Sequence, residues 1–188
     1  ITKTFPAAVI EEAYELGLRD FGENYVQEFE TKAPEVRHLA GARFHFVGHL
    51  QSNKTRRAAE LFDVIQTVDS QKIARRINDL GAKKHVMIEV KLSPEQTKSG
   101  ATPEQLPLLV DAIRQMPTLE LIGLMTMPPW SDDPEASRPY FRRLRELAGR
   151  FNLPCLSMGM SQDFEVAIEE GATHIRLGTA LFGPRRAT

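Results

Sequence analysis

The sequence predicts an α/β protein with the architecture of a (β/α)8 TIM barrel, and three observations favour that fold. The 188 residues are 41% hydrophobic, which is enough for a core without disulfide or metal cross-links. Short apolar runs alternate with helical patterns, which is typical of βαβ units and a parallel sheet. Polar and small residues follow the apolar runs, at the strand ends where the functional sites of such barrels lie. An open doubly wound sheet is the alternative, but no G-x-G-x-x-G sequence follows any run.

Eight segments are predicted as strands if the first, residues 1–3, is the end of a longer strand. The others are residues 19–24, 44–49, 64–69, 86–92, 121–127, 155–160 and 174–178. Barrels of this type have about 250 residues, with about 200 near the lower limit. The chain also begins without Met and without a signal-peptide pattern. We therefore expect one domain, residues 1–188, with the N-terminal helix and most of strand one absent from the sequence.

Helical patterns separate several of these strands. Residues 6–16 predict a helix that ends at Gly17, and Ser70 is a predicted N-cap for a helix that ends at Gly81. Pro103 and Pro134 each stand where a further helix is predicted to begin. Residues 161–170 predict a short helix that Ser161 opens.

Composition excludes several classes of function. A formal net charge of −1 lacks the basic excess typical of nucleic-acid-binding surfaces. No apolar run approaches the roughly 20 residues that cross a bilayer. The single cysteine, Cys155, cannot form an internal disulfide, which favours a cytoplasmic protein. His45 and His49 are four residues apart on a predicted strand, where that spacing separates them by about 13 Å and disfavours a metal site.

The predicted strand ends carry the residues best suited to chemistry. They are Lys3, Glu23, Asn24, His49, Asp69, Ser70, Lys91, Lys98, Thr126, Met127, Ser161, Gly178 and Thr179. Barrels often bind phosphate in the loops after strands seven and eight. Small residues there let backbone N–H groups approach an anion, and hydroxyls donate to it. Ser161, Gly178 and Thr179 therefore predict a phosphate site, although an N-cap and a plain turn would give the same pattern.

Lys3 is a candidate nucleophile. Burial at a barrel mouth lowers the pKa of a lysine, and such amines form Schiff bases with carbonyl compounds. An exposed lysine at a frayed end of the chain is the alternative. Together with a phosphate site, the lysine indicates a phosphorylated aldehyde, of which pyridoxal 5′-phosphate (PLP) is the obvious candidate.

Several longer motifs carry a family resemblance across nearly the whole chain. They are residues 2–4, 21–28, 45–54, 68–70, 98–100, 123–125, 157–161 and 176–183. In these motifs the chain resembles the pyridoxal phosphate homeostasis protein family, also called PLP-binding protein. The resemblance implies the barrel of the alanine racemase N-terminal domain, which is PLP fold type III.

The resemblance also implies roles for individual residues. Lys3 matches the lysine that holds PLP as a Schiff base, and Asn24 matches a residue of the cofactor pocket. Ser161, Gly178 and Thr179 match the phosphate site. Two further matches are Arg176, which faces the pyridine nitrogen, and Lys98, a second lysine linked to PLP handling. By its position at a strand end, Met160 is a further candidate to face the cofactor, and packing in the core is the alternative that its residue type favours.

The implied function is PLP binding and intracellular PLP homeostasis without catalytic turnover. An arginine at the ring nitrogen stays protonated and only donates, so the ring withdraws electrons less well. Racemases of this fold also need a second base from an additional β-domain, which we do not expect after Thr188. A racemase-like PLP enzyme, or an interaction module with structural PLP, is the alternative. We expect a monomer whose partners are PLP and PLP-dependent acceptor enzymes, with no nucleic acid and no membrane.

Overall fold

A computed structural model of the chain describes residues 1–93 and 99–183. It contains a seven-stranded, all-parallel sheet in which the strands follow one another in chain order. The strands are β1 (Asp20–Glu23), β2 (Arg43–Phe46), β3 (Val64–Val68), β4 (Lys84–Glu89), β5 (Leu119–Met125), β6 (Cys155–Met160) and β7 (His174–Arg176). The ends of all seven lie within three residues of the predicted positions.

Helices connect the strands and pack on the outside of the sheet. They are α1 (Ala7–Glu15), α2 (Val26–Val36), α3 (Thr55–Leu61), α4 (Gln71–Asn78), α5 (Leu106–Arg114), α6 (Arg138–Arg150), α7 (Phe164–Glu169) and α8 (Thr179–Phe182). A 3-10 turn, Pro134–Ser137, precedes α6. This order of parallel strands and covering helices is a nearly closed barrel of the TIM type, as the sequence predicts. Among the described residues, no helix has both the length and the apolar character needed to span a bilayer.

The prediction of an eighth strand at residues 1–3 is wrong. That segment forms no regular strand, although it lies between β1 and β7. The backbone N–H of Thr2 donates to Gly22 in β1 over 2.9 Å, and the nitrogen of Ile1 donates to the carbonyl of Leu177 just after β7. Three residues therefore bridge the two edges of the barrel, but they are too few to make a ladder with either strand.

Two predicted helix starts are also wrong. The helix expected at Pro103 begins three residues later, at Leu106, because Thr102 and Gln105 first form a turn held by their own hydrogen bonds. The helix expected at Ser161 begins at Phe164, and Ser161 makes contacts outside it. Ser70 does cap α4, since its hydroxyl accepts from the backbone of Ile73 over 3.4 Å. Helices α2, α3 and α8 were not predicted.

Aromatic packing anchors α2 and α3 against the first strands. Phe29 of α2 lies with its ring centroid 4.8 Å from that of Phe44 and 4.7 Å from that of Phe62. All three side chains are almost completely buried. Because this cluster is near-close-packed, removal of one ring leaves a cavity that its neighbours fill only in part.

We predict that Phe29→Ala lowers the free energy of unfolding by about 3–5 kcal/mol. Urea unfolding followed by circular dichroism measures the change. Leu108→Ala is the control, because that side chain is 70% exposed on α5 and its loss should change stability by less than about 0.5 kcal/mol. Equal effects of the two substitutions would contradict the packing account.

Candidate functional site

A pocket of about 490 Å³ opens at the carboxyl ends of the strands. Seven of the eight predicted site residues line it, and they are Lys3, Asn24, Met160, Ser161, Arg176, Gly178 and Thr179. The eighth, Lys98, lies outside the described residues. The volume falls in the range of about 300–1,000 Å³ that is usual for small-molecule sites. The structure therefore brings together in one pocket residues named from strand ends and Arg176, which was named from the family resemblance.

An ionic network between β1 and α2 holds the residues on both sides of Lys3. Lys32 pairs with Glu23 over 2.9 Å and with Glu28 over 2.6 Å. The hydroxyl of Thr2 donates to Glu23 over 2.8 Å, and the ammonium of Lys32 donates to the carbonyl of Thr2 over 3.0 Å. The residue before Lys3 is thus bound to the network through both its side chain and its backbone.

The residue after Lys3 is bound to the same network. The backbone N–H of Thr4 donates to the Glu28 carboxylate over 2.5 Å. Thr4 has a φ of 68°, in the left-handed region that β-branched residues rarely adopt. Such a conformation costs about 1–3 kcal/mol and persists where surrounding contacts impose it. The chain therefore turns sharply just after Lys3, which is half-buried at the pocket wall.

The network contains a buried pair of opposite charges, Glu23 and Lys32. Burial raises the pKa of Glu23, and the ammonium of Lys32 opposes that rise. Glu23 is completely buried and Lys32 is 6% exposed. A buried pair of this kind costs desolvation free energy, but loss of only one partner leaves an uncompensated buried charge.

Asn24 offers the pocket a polar atom without a partner. Its side-chain oxygen Oδ1 is buried and accepts no hydrogen bond within the described ranges. The segment just after β2 approaches this residue closely at Gly48, where a β carbon would lie 2.0 Å from the Asn24 carbonyl oxygen. Buried polar atoms are normally satisfied, so the orphaned amide indicates a site that a ligand completes.

The opposite wall of the pocket gathers hydrogen-bond donors. The backbone N–H groups of Gly178 and Ala180 point at the Ser161 hydroxyl oxygen, over 3.4 and 3.2 Å. Asp163 fixes the turn before them, because its carboxylate accepts from Met160 N–H and from the Ser137 hydroxyl, both over 2.7 Å. Converging N–H and hydroxyl groups of this kind fit an anion such as a phosphate.

Arg176 ends a chain of hydrogen bonds through the barrel interior. Its guanidinium donates to the Ser157 hydroxyl over 2.9 Å and to the carbonyl of Thr126 over 2.8 Å. Ser157 donates to Gln66 over 2.6 Å, and Gln66 contacts Nδ1 of His45 over 2.9 Å. The chain ends at Asp20, whose carboxylate contacts Nε2 of His45 over 2.8 Å.

The direction of this chain follows from its arginine end. Because guanidinium only donates, Ser157 accepts and must pass its own proton to the Gln66 oxygen. The Gln66 amide then donates to His45, which assigns the ring proton of His45 to Nε2, facing Asp20. Burial lowers the pKa of Arg176 to about 10, opposed by the charges of Glu89 and Asp163. Arg176 therefore stays protonated at neutral pH.

Glu89 is a buried acid near this arginine. It ends β4, is 3% exposed, and its Oε2 has no hydrogen-bond partner in the part of the chain that the structure describes. Burial and the negative charge of Asp69 raise its pKa to about 7, while Arg176 acts in the opposite direction. Its carboxyl group therefore titrates well above the range of an ordinary glutamate.

Sequence reasoning missed the residues that hold the site in place. Lys32, Gln66 and Ser157 lie inside elements, and Glu89, which ends β4, lies inside the predicted strand 86–92, so the strand-end rule selects none of them. Trp130 also lines the pocket, with 72% of its surface exposed. A recognisable signal did exist, because a polar residue inside an apolar strand, as at positions 66, 89 and 157, needs a buried partner.

His45 and His49 do not face a common metal. His45 contacts Asp20 and Gln66, whereas His49 contacts the Ser99 hydroxyl over 2.9 Å. Within residues 1–93 and 99–183, no group of three or more His, Cys, Asp or Glu side chains is arranged to hold a metal ion.

Comparison with known proteins connects this barrel to a class. The alanine racemase N-terminal domain family matches residues 5–186. An alanine racemase from Corynebacterium glutamicum shares the fold, with a TM-score of 0.76 at 19% identity over 97% of this chain and 54% of that one. The fold and the strand-end pocket therefore define an alanine-racemase-type barrel.

More similar proteins narrow the class. The pyridoxal phosphate homeostasis protein of Pseudomonas aeruginosa is 48% identical over 98% of this chain and 83% of its own length. That of Escherichia coli K12 is 41% identical over 98% and 84%. PipY of Synechococcus elongatus, solved with PLP bound, superposes with a TM-score of 0.87 at 39% identity over 97% of this chain and 90% of that one. The chain belongs to the pyridoxal phosphate homeostasis protein family.

The network around Lys3 gives a stability prediction. Lys32→Met should lower the free energy of unfolding at pH 7 by about 3–5 kcal/mol, because it leaves Glu23 buried without a counter-charge. Urea unfolding measures this change. The exposed Lys72→Met on α4 is the matched control and should have little effect. The double variant Glu23→Gln/Lys32→Met should recover most of the loss, and a double variant as unstable as Lys32→Met would count against the account.

Glu89 gives a pH-dependent prediction. Between pH 4.5 and 7 the folded state holds a proton that the unfolded chain has already released, so ionisation of Glu89 destabilises the fold as pH rises. Glu89→Gln removes that ionisation. Its stability relative to the natural protein should therefore increase by about 2–3 kcal/mol between pH 5 and pH 8. Urea unfolding at both pH values tests this, and a difference that is the same at both would contradict it.

Proposed function

We propose that this protein binds PLP in the strand-end pocket and contributes to intracellular PLP homeostasis without catalytic turnover. The observation that carries the proposal is the union, in one pocket, of a lysine fixed on both sides with a set of converging anion donors. The residues fit the cofactor, since the orphaned oxygen of Asn24 accepts a donor and the Ser161 region accepts a phosphate. The names of the relatives support the same assignment.

Each wall of the pocket has a proposed task. Lys3 holds the cofactor as a Schiff base, and Asn24 and Met160 contact its ring. Ser161, Gly178 and Thr179 bind its phosphate through hydroxyl and backbone N–H groups. Arg176 donates to the ring nitrogen. Lys98 is proposed as a second lysine in PLP handling, on the family resemblance alone.

The proposal of no turnover depends on Arg176. PLP supplies an electron sink that is strongest when its ring nitrogen is protonated, usually by a carboxylic partner. Arg176 stays protonated near neutral pH and can only donate, so it keeps that nitrogen unprotonated. The buried acid Glu89 lies on a different strand and influences Arg176 through its charge.

The proposal also covers the domain organisation, oligomeric state, cellular location and partners of the protein. Residues 1–188 are proposed to form one PLP-binding domain that acts as a monomer in the cytoplasm, in keeping with a single cysteine. PLP-dependent acceptor enzymes are proposed as recipients.

The binding proposal is tested by titration with PLP, followed by absorbance. The natural protein should take up one PLP and develop the absorption band of a protonated Schiff base, which sodium borohydride abolishes. Lys3→Ala should lose that band, whereas Lys72→Ala on α4 should keep it. An unchanged band in Lys3→Ala would overturn the role of Lys3.

The absence of turnover is tested with L-alanine in deuterated water. PLP-loaded protein should exchange the α-proton of L-alanine no faster than the same concentration of free PLP. Exchange clearly above the rate of free PLP would favour the alternative, a racemase-like PLP enzyme. Proton NMR measures the loss of the α-proton signal.

A further inference from the structure

A second cavity adjoins the cofactor pocket. Its volume is about 370 Å³, and Met127, Trp130 and Met160 line both spaces. Its remaining wall comes from the end of β4 and from the segments that follow β2 and β4. The cofactor proposal assigns this space no ligand, although it opens beside the site proposed for PLP.

The inner wall of this cavity carries the buried carboxyl of Glu89. The residue is 97% buried, because its exposed fraction is 3%. Its Oε2 has no hydrogen-bond partner among residues 1–93 and 99–183. A buried carboxyl with an unsatisfied oxygen costs free energy unless a donor reaches it. The most favourable donor is a cation, because a charge-assisted hydrogen bond to a carboxylate is about twice as strong as a neutral one.

The rim of the cavity has the opposite polarity. Lys91 lines it, and its ammonium has no ion-pair partner among the described residues. His49 also lines it, held by the Ser99 hydroxyl over 2.9 Å. The cavity therefore has an acceptor at its inner wall, a cation and an imidazole at its rim, and apolar side chains such as Val90 and Leu92 between them.

We propose that this cavity is a binding site for a small amino acid, with the ligand ammonium on Glu89 and the ligand carboxylate at Lys91. The cavity volume lies within the range of small-ligand sites, and an amino acid presents both charges at a short separation. Asp69 adds negative potential near Glu89, which favours a cation at the inner end. Arg176 opposes it, but its guanidinium is already held by Ser157 and Thr126.

Amino-acid binding in this cavity does not depend on the proposed function. The proximity of the amino acid to PLP does rest on the proposed function. An amino acid held here would lie next to the bound cofactor without a bond to it. Occupancy of the two sites could then be coupled through the three side chains that they share.

The test uses isothermal titration calorimetry with L-alanine and L-leucine as probes. Both the cofactor-free protein and the PLP-loaded protein reduced with borohydride are titrated, because reduction prevents the amino acid from displacing Lys3. At least one probe should bind both forms. Ethylamine, which lacks the carboxylate, and propionate, which lacks the ammonium, should each bind at least about tenfold more weakly.

Two variants assign the binding to this cavity. Glu89→Gln and Lys91→Met should each weaken it at least about tenfold, while Lys72→Met should leave it unchanged. Equal affinity in Glu89→Gln and the natural protein, or no binding of either probe to folded protein, would overturn the proposal. If the protein takes up no PLP at all, the proposed PLP-binding function fails. Titration of the cofactor-free protein still decides whether the amino-acid site exists.

Discussion

The ionic network formed by Glu23, Lys32 and Glu28 holds the segment around Lys3, the proposed Schiff-base lysine of this barrel. It holds Thr2 and Thr4, the residues on either side of Lys3, through three hydrogen bonds to side chains or backbone. It also imposes the left-handed conformation of Thr4. Residues 1–3 make no ladder with a neighbouring strand, although backbone hydrogen bonds from Ile1 and Thr2 tie them to both edges of the sheet. Helix α2, which carries Glu28 and Lys32, adds the side-chain contacts that hold Thr2 and Thr4 on either side of Lys3.

A second buried polar system supports the other side of the pocket. The chain from Asp20 to Arg176 runs from the edge of the first strand to the pocket wall, and each of its groups has one defined direction of donation. Buried networks of this type are stabilising only when every member is satisfied, and they then fix one geometry. Between these two walls the pocket also holds the unsatisfied side-chain oxygen of Asn24.

The sequence predicted more of the pocket than of its supports. Parallel strands in a barrel bring their carboxyl ends together, so locating the apolar runs was enough to bring Asn24, Ser161 and Gly178 to one place, whereas Arg176 was named from the family resemblance. Lys32 could not be found in this way, because a lysine on an amphipathic helix is usually solvated and only the fold shows it buried. Ser161 was assigned to the start of a helix, yet it faces Gly178 and Ala180, which are distant in sequence. Residues 1–3 were predicted as the end of a strand, but they make single hydrogen bonds to β1 and to the segment after β7 and no ladder.

The central claim is that the ionic network presents one particular lysine to the cofactor. The most direct measurement is to load the protein with PLP, reduce it with borohydride, digest it and locate the added pyridoxyl phosphate by mass spectrometry. The account predicts the modification on the peptide that contains Lys3. Modification mainly at Lys32, Lys91 or another lysine, with Lys3 unmodified, would contradict it.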